Sequence, residues 1–112
     1  MAHSNKYEID FRLWVFSDGE KLVGKGRIEL LERIQKTGSI SKAAQEMKMS
    51  YRQAWQMVKE MNERANSPLV EKKLGGKEGG GATLTKEGEK TIQQFNEINQ
   101  KVNEFIQSLS FM

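Results

Sequence analysis

Of the 112 residues, none is cysteine, one is histidine and one is proline. Without cysteine there is no disulfide, no thiol nucleophile and no thiolate metal site. The single histidine, His3, falls in residues 1–6, a stretch expected to be disordered. The usual general base and most transition-metal sites are thereby missing. The expectation is a protein that is not an enzyme and carries no metal and no cofactor. No apolar run approaches the ~18 residues of a membrane span, and no signal-peptide pattern opens the chain. A cytoplasmic protein with no membrane contact is expected.

What is present is a balanced, soluble composition. Hydrophobic residues make up 37% and charged residues 29%, enough for one domain with one modest core. The net charge is only +3, so its placement matters more than its size. From Lys48 to Lys77 seven basic residues stand against three acids, a local +4 that leaves −1 for the rest of the chain. A concentrated basic patch is the electrostatic footprint of a phosphate-binding surface.

The stretch from Thr37 to Trp55 reads as a short helix, a tight turn and a longer helix. Ser41 is the expected N-cap of the first, and Ala43 and Ala44 leave room for another helix to approach. Lys48-Met49 interrupts the run, with a small cost if Lys48 must adopt positive φ. Ser50, followed three residues later by Gln53, forms a Ser-x-x-Gln capping box for the second helix. Two capped helices about three residues apart have the spacing of a helix-turn-helix, whose second helix can enter a DNA major groove.

At 100° per residue, Ala54, Val58, Met61 and Ala65 form the buried stripe of that second helix. Arg52, Gln53, Gln56, Lys59, Glu60 and Glu63 fall on the far side. Its first two turns therefore present Arg52, Gln53, Gln56 and Lys59, with no acid among them. Arg and Gln can pair bidentately with guanine and adenine edges. The alternative for such a face is plain solvation. Tyr51 and Trp55 border the stripe as packing residues, with Tyr51 also within reach of a phosphate.

Around this centre the rest of the chain falls into place. Tyr7 to Val15 alternates apolar and polar residues, which predicts a strand. Ser17-Asp18-Gly19-Glu20 predicts a turn, and Lys21-Leu22-Val23 a short returning strand. Lys25 to Lys36 reads as the first main helix, closed by Gly38 in a left-handed conformation. Asn66-Ser67-Pro68 ends the long helix. Leu69 to Leu74 and Ala82 to Thr85 then read as two strands around a loop with five glycines in seven residues, the layout of a wing. No Gly-Lys-Ser/Thr closes that loop, so it is not a nucleotide-binding P-loop.

The last helix begins near Thr85 and is expected to run to about Leu109. Ile92, Phe95, Asn99, Val102, Ile106 and Leu109 recur on alternating three- and four-residue steps, a paired-helix seam with one polar register-setting position. Ile98 and Phe105 widen that stripe. At ~36 Å the helix is longer than so small a domain needs, which predicts a homodimer joined through this seam, with part of the stripe also covering the protomer; the alternative is a core helix folded back on the first helix. The fold class expected is therefore α+β, mainly α. It comprises a winged helix-turn-helix over residues 7–85, with an N-terminal β-hairpin, and a C-terminal dimerisation helix over 86–112.

The motifs Gly26-Arg27-Ile28-Glu29-Leu30-Leu31, Gly38-Ser39-Ile40-Ser41-Lys42-Ala43-Ala44 and Met49-Ser50-Tyr51-Arg52-Gln53-Ala54-Trp55 carry a family resemblance. Met61-Asn62-Glu63, Leu69-Val70-Glu71, the glycine-rich stretch to Ala82, and Leu84-Thr85 with Gly88 extend it. Together they resemble the N-terminal DNA-binding domain of the molybdate-responsive ModE regulators, a winged helix-turn-helix related to the LysR type. The resemblance implies a dimer that reads a palindromic operator. Full-length ModE regulators continue into molybdate-binding domains, whereas this sequence stops at Met112. Molybdate sensing is therefore not carried over, and a separate effector or partner protein is a possible complement.

The function expected is that of a sequence-specific transcriptional regulator of double-stranded DNA. Arg52, Gln53 and Gln56 would read bases, and Ser50, Tyr51, Lys42, Lys59 and Lys77 would hold phosphates. The rival is a winged-helix interaction module that recruits a partner through its C-terminal helix.

Overall fold

The computed structural model describes residues 6–73 and 81–111. Two strands, β1 (Trp14–Ser17) and β2 (Glu20–Gly24), form an antiparallel hairpin closed by Asp18 and Gly19. Both turn residues have positive φ (48° and 83°), as a two-residue hairpin turn with the strands' own twist requires. The strand expected from Tyr7 is shorter than its alternation suggested, because residues 6–13 adopt neither strand nor helix. The reason is the length of the partner. Strand β2 ends at Gly24, opposite Trp14, so nothing remains to pair with the earlier residues. The alternation still sorts side chains: Ile9, Phe11, Leu13 and Val15 are half-buried, while Glu8, Asp10 and Arg12 are exposed.

Helix α1 (Lys25–Thr37) buries Ile28, Leu30, Leu31 and Ile34 on one side. Gly38 ends it at φ 72°, its amide donating to the Ile34 carbonyl at 2.8 Å. Helix α2 (Ile40–Glu46) begins at once, and its N-cap is Ser39 rather than Ser41. Ser39 has extended backbone and its Oγ accepts from the Lys42 amide at 3.0 Å. Ile40, buried against the core, must already be helical for Ala43 and Ala44 to face the same way, and this moves the start two residues upstream. Arg33 ties the two helices by donating to Glu29 within α1 and to Glu46 of α2 at 2.8 Å. Lys48 takes the left-handed conformation in the turn, at φ 57°.

Helix α3 (Tyr51–Arg64) buries Ala54, Val58 and Met61 of the stripe expected from its periodicity, while Ala65, the fourth member, is the C-cap with extended backbone and only half-buried. Strands β3 (Val70–Lys73) and β4 (Gly81–Leu84) pair in register from Val70 opposite Leu84 to Lys73 opposite Gly81. Helix α4 (Lys86–Gln107) follows. The glycine-rich loop with Lys77, and residues 1–5, lie outside the described residues. The architecture is the α+β, mainly α winged helix-turn-helix expected, with the N-terminal hairpin and the long last helix in place.

One junction sets the wing's position. The Asn62 side chain accepts from the Leu69 and Val70 amides at 2.8 and 3.1 Å and donates to the Val70 carbonyl at 3.0 Å. Thr85 caps α4 by accepting from the Gly88 amide, and its hydroxyl donates to the Pro68 carbonyl at 2.7 Å. Gly88 has no alternative, since a Cβ there would stand 2.3 Å from the Leu69 carbonyl oxygen. Helix α3, the wing and α4 therefore meet at Pro68–Val70. Asn62→Ala leaves two buried amides and a carbonyl without partners and should cost about 2–3 kcal/mol of unfolding free energy. Chemical denaturation measures this, and an unchanged midpoint would show that the junction is not held by Asn62.

Candidate nucleic-acid interface

With Ala54, Val58 and Met61 in the core, the opposite side of α3 faces outward. Tyr51, Arg52, Gln53, Gln56 and Lys59 are all exposed. Ser50 Oγ accepts from the Gln53 amide at 3.0 Å, half of the expected capping box. Among the described residues no bond returns from the Gln53 side chain, so its amide stays available to a ligand. The Arg52 guanidinium likewise has no hydrogen bond or ion pair among the described residues. Lys42, on the first turn of α2, is exposed as well.

Further along α3 the picture changes. Glu60, assigned to the open far side by its angle alone, is half-buried and paired with Arg27 of α1 at 2.6 Å. Arg64 approaches the same carboxylate at 3.5 Å and donates to the Lys21 carbonyl of β2 at 2.9 Å. Ser17 of β1 donates in turn to the Arg64 carbonyl. A helical wheel describes one helix and cannot show that Arg27 reaches over from a neighbour. Gln56 donates to Glu60 at 3.1 Å, and Lys59 pairs loosely with Glu63 at 3.4 Å. The open, acid-free surface is thus confined to the first two turns of α3.

Strand β3 adds two cations that were not among the candidate contacts, Lys72 and Lys73, both exposed. The signal was there: three consecutive charged residues, Glu71 to Lys73, cannot place either side of a strand against a core. Between β3 and α3 lies a notch of about 240 Å³ lined by Ile40, Trp55, Val58 and Val70. Lys77 lies outside the described residues.

The candidate dimer residues divide along α4. Phe95 is only 5% exposed and belongs to the protomer's own core, with Ile92 packed beside it. Asn99 is half-buried and lines a cleft between α4, α1 and the N-terminal segment. Val102 and Ile106 are half-buried, and Leu109 is exposed. Ile98 and Phe105, which only widened the expected seam, are the most exposed apolar residues within the helix, at 46% and 64%.

This geometry can be set beside known proteins. Residues 26–89, more than half of the chain, match the bacterial regulatory helix-turn-helix protein family of the LysR type. The chain belongs to that family. Within it, the sequence is ModE-like. It is 44% identical over 86 residues to the molybdenum-pterin-binding protein MopB of Rhodobacter capsulatus, covering 77% of this chain and 32% of MopB. It is 45% identical over 74 residues to the DNA-binding transcriptional dual regulator ModE of Escherichia coli, 66% of this chain and 28% of that protein. The Yersinia pestis regulator ModE is 49% identical over 70 residues, 62% of this chain and 27% of that protein. The chain spans about a third or less of the length of these relatives, so what is shared is the ModE-like helix-turn-helix domain. Among the described residues no helix is long and apolar enough to cross a membrane.

The Glu60 cluster makes a pH prediction. The Gln56 amide and the Arg27 guanidinium, with Arg64 nearby, hold the Glu60 carboxyl below its ordinary range. A carboxylate with a lowered folded pKa stabilises the fold above its unfolded value of about 4.3. That contribution is lost as pH falls through the lower folded value. Glu60→Gln should therefore cost roughly 1–2 kcal/mol at pH 7, with the gap to wild type closing below about pH 4. Urea denaturation at pH 7 and pH 3 checks this. An equal gap at both would remove the ionised pair as its cause.

Proposed function

We propose that this ModE-like domain is a sequence-specific DNA-binding transcriptional regulator that acts as a dimer and not as an enzyme. The observation that carries the reading is the exposed, acid-free Arg52–Gln53–Gln56 face on a helix whose other side is locked in the core. In this reading the first two turns of α3 lie in a major groove, with Arg52, Gln53 and Gln56 on base edges. Ser50, Tyr51, Lys42 and Lys59 hold phosphates, and the wing, through Lys72, Lys73 and Lys77, follows the backbone. Family membership and the similarity to the E. coli DNA-binding transcriptional dual regulator support DNA binding. Two copies reading a palindrome would need recognition helices about 34 Å apart.

The rival reading, an interaction module acting through α4, draws on the exposed Ile98 and Phe105. The two separate by salt. DNA binding loses affinity steeply as salt rises, with the logarithm falling by about 0.9 per phosphate contact for each logarithmic step. Apolar recruitment does not.

Selection of bound duplexes from a random pool supplies the operator, and variants are then measured against it. Arg52→Ala should cost about 1–3 kcal/mol and relax preference at one base position. A uniform loss across all sequences would assign Arg52 to the backbone instead. Lys72→Ala should weaken binding to every sequence and reduce the salt slope by about one contact. An unchanged slope would take β3 out of the interface.

A further inference from the structure

The Gln56 amide is oriented before any ligand arrives. Its Nε2 donates to Glu60 Oε2 at 3.1 Å, one turn further along α3. The other oxygen of that carboxylate, Oε1, takes Arg27 at 2.6 Å and Arg64 at 3.5 Å. Both arginines are anchored in turn. Arg27 also reaches the Lys21 and Leu22 carbonyls at 3.4 Å, and Arg64 the Lys21 carbonyl at 2.9 Å. Glu60 is thus held on its Oε1 side by α1 and β2, with Oε2 turned to Gln56.

A free glutamine can present either end of its amide, since the two ends have the same shape and opposite hydrogen-bonding character. Gln53, three residues earlier, is free in this sense among the described residues. Gln56 is not. A carboxylate only accepts, so Gln56 must turn its NH2 to Glu60, and the flipped amide would set two oxygens against each other. Glu60 stays ionised, because Gln56 and Arg27 hold its carboxyl below the ordinary range. The carbonyl Oε1 of Gln56 is thereby directed away from Glu60, on an exposed side chain.

We infer that Glu60 is a positioning residue that presents Gln56 to DNA as an acceptor, its Oε1 taking the exocyclic amino group of an adenine or a cytosine while the bond to Glu60 stays intact. The inference rests on the DNA reading above and adds which atom of Gln56 makes the contact and what aims it. Adenine N6 and cytosine N4 are the base donors of the major groove, whereas guanine O6 and N7, adenine N7 and thymine O4 accept. A glutamine turned the other way would seek those acceptors. The bond to Glu60 is charge-assisted and stronger than a neutral one, so a base contact gains nothing by breaking it.

Two measurements test this. Nitrogen-15 NMR of the free chain should show one Gln56 side-chain amide proton downfield of those of Gln53, and Glu60→Gln should abolish the difference. Coincident Gln56 and Gln53 protons in the wild type would overturn the preset amide, whether or not the variant folds. Duplex selection by wild type and by Gln56→Ala then identifies the base pair that depends on Gln56. Every Watson–Crick pair carries one amino group in the major groove, so that group is removed chemically, with deoxynebularine for deoxyadenosine or deoxyzebularine for deoxycytidine. Its removal should weaken wild-type binding about fivefold more than it weakens Gln56→Ala, as the loss of one hydrogen bond does. Glu60→Gln should shrink that excess to about twofold or less, because a neutral amide at position 60 lets Gln56 flip. A merely destabilised variant would bind all duplexes more weakly and keep the excess. No excess in the wild type would overturn the contact through Oε1, and an excess that survives Glu60→Gln would overturn the role of Glu60. Selected duplexes with no base pair dependent on Gln56 would overturn this inference alone. A wild type that selects no duplex would overturn the DNA reading with it.

Discussion

A helix held by one side has its other side aimed for it. Everything functional here depends on the burial of Ala54, Val58 and Met61 of α3 among the helices and strands around them. Arg52 and Gln53 then point outward with no side-chain contact of their own, among the described residues, to direct them. Alanine occupies the first buried position of α3, and Ala43 and Ala44 are the buried residues that follow Ile40 on α2, so no bulky side chain at these positions holds the helices apart. A small residue at the first buried position keeps the start of α3 near the body of the domain, while its long polar side chains project away.

Apolar packing alone fixes the position of a helix better than its rotation about its own axis. The Arg27–Glu60–Arg64 cluster supplies the second constraint, since it joins α3 to α1 and to the β2 backbone. These groups are half-buried, where an ion pair with several hydrogen bonds is directional and only partly screened. The cluster stands at the end of α3 away from Arg52. It can therefore set the rotation of the helix without placing acids on the face offered to a ligand. Gln56 sits between the two regions, bonded to Glu60 at 3.1 Å in the free protein. To turn its amide nitrogen to a base edge it would exchange that bond, whereas Arg52 and Gln53 would give up none within the described residues.

Most of the fold was legible because its signals are local. Gly38 at positive φ, the Ser50 cap, the Asp18-Gly19 turn and the 3.6-residue period of α1 and α3 each depend on a few neighbouring residues. The misreadings share the opposite character. Ser39 displaces Ser41 as the cap because of where buried Ile40 must sit, and the first strand stops where its partner stops. Glu60 was placed in open solvent because its partner comes from 33 residues away. Asn62 entered only as a member of the Met61-Asn62-Glu63 motif, although it organises the base of the wing. Of the candidate interface, the Arg52–Gln53–Gln56 face could be read from sequence. That part of the α4 stripe covers the protomer was expected as well, but which residues do so could not be read, since that depends on the hairpin and the N-terminal segment packed beside the helix.

The same junction at Pro68–Val70 links the two candidate surfaces. Thr85 and Gly88, at the start of α4, bond to or pack directly on Pro68 and Leu69, and Asn62 of α3 grips Leu69 and Val70 from the other side. Among the described residues, those joining α3 to β3 and β4 to α4 are held by these contacts. In the dimer proposed above, if joined through α4, the spacing of the two recognition helices would be set by the α4 crossing and by this junction. Such a dimer would hold its half-site spacing through rigid connection, and a partner that altered the α4 crossing would move both recognition helices together.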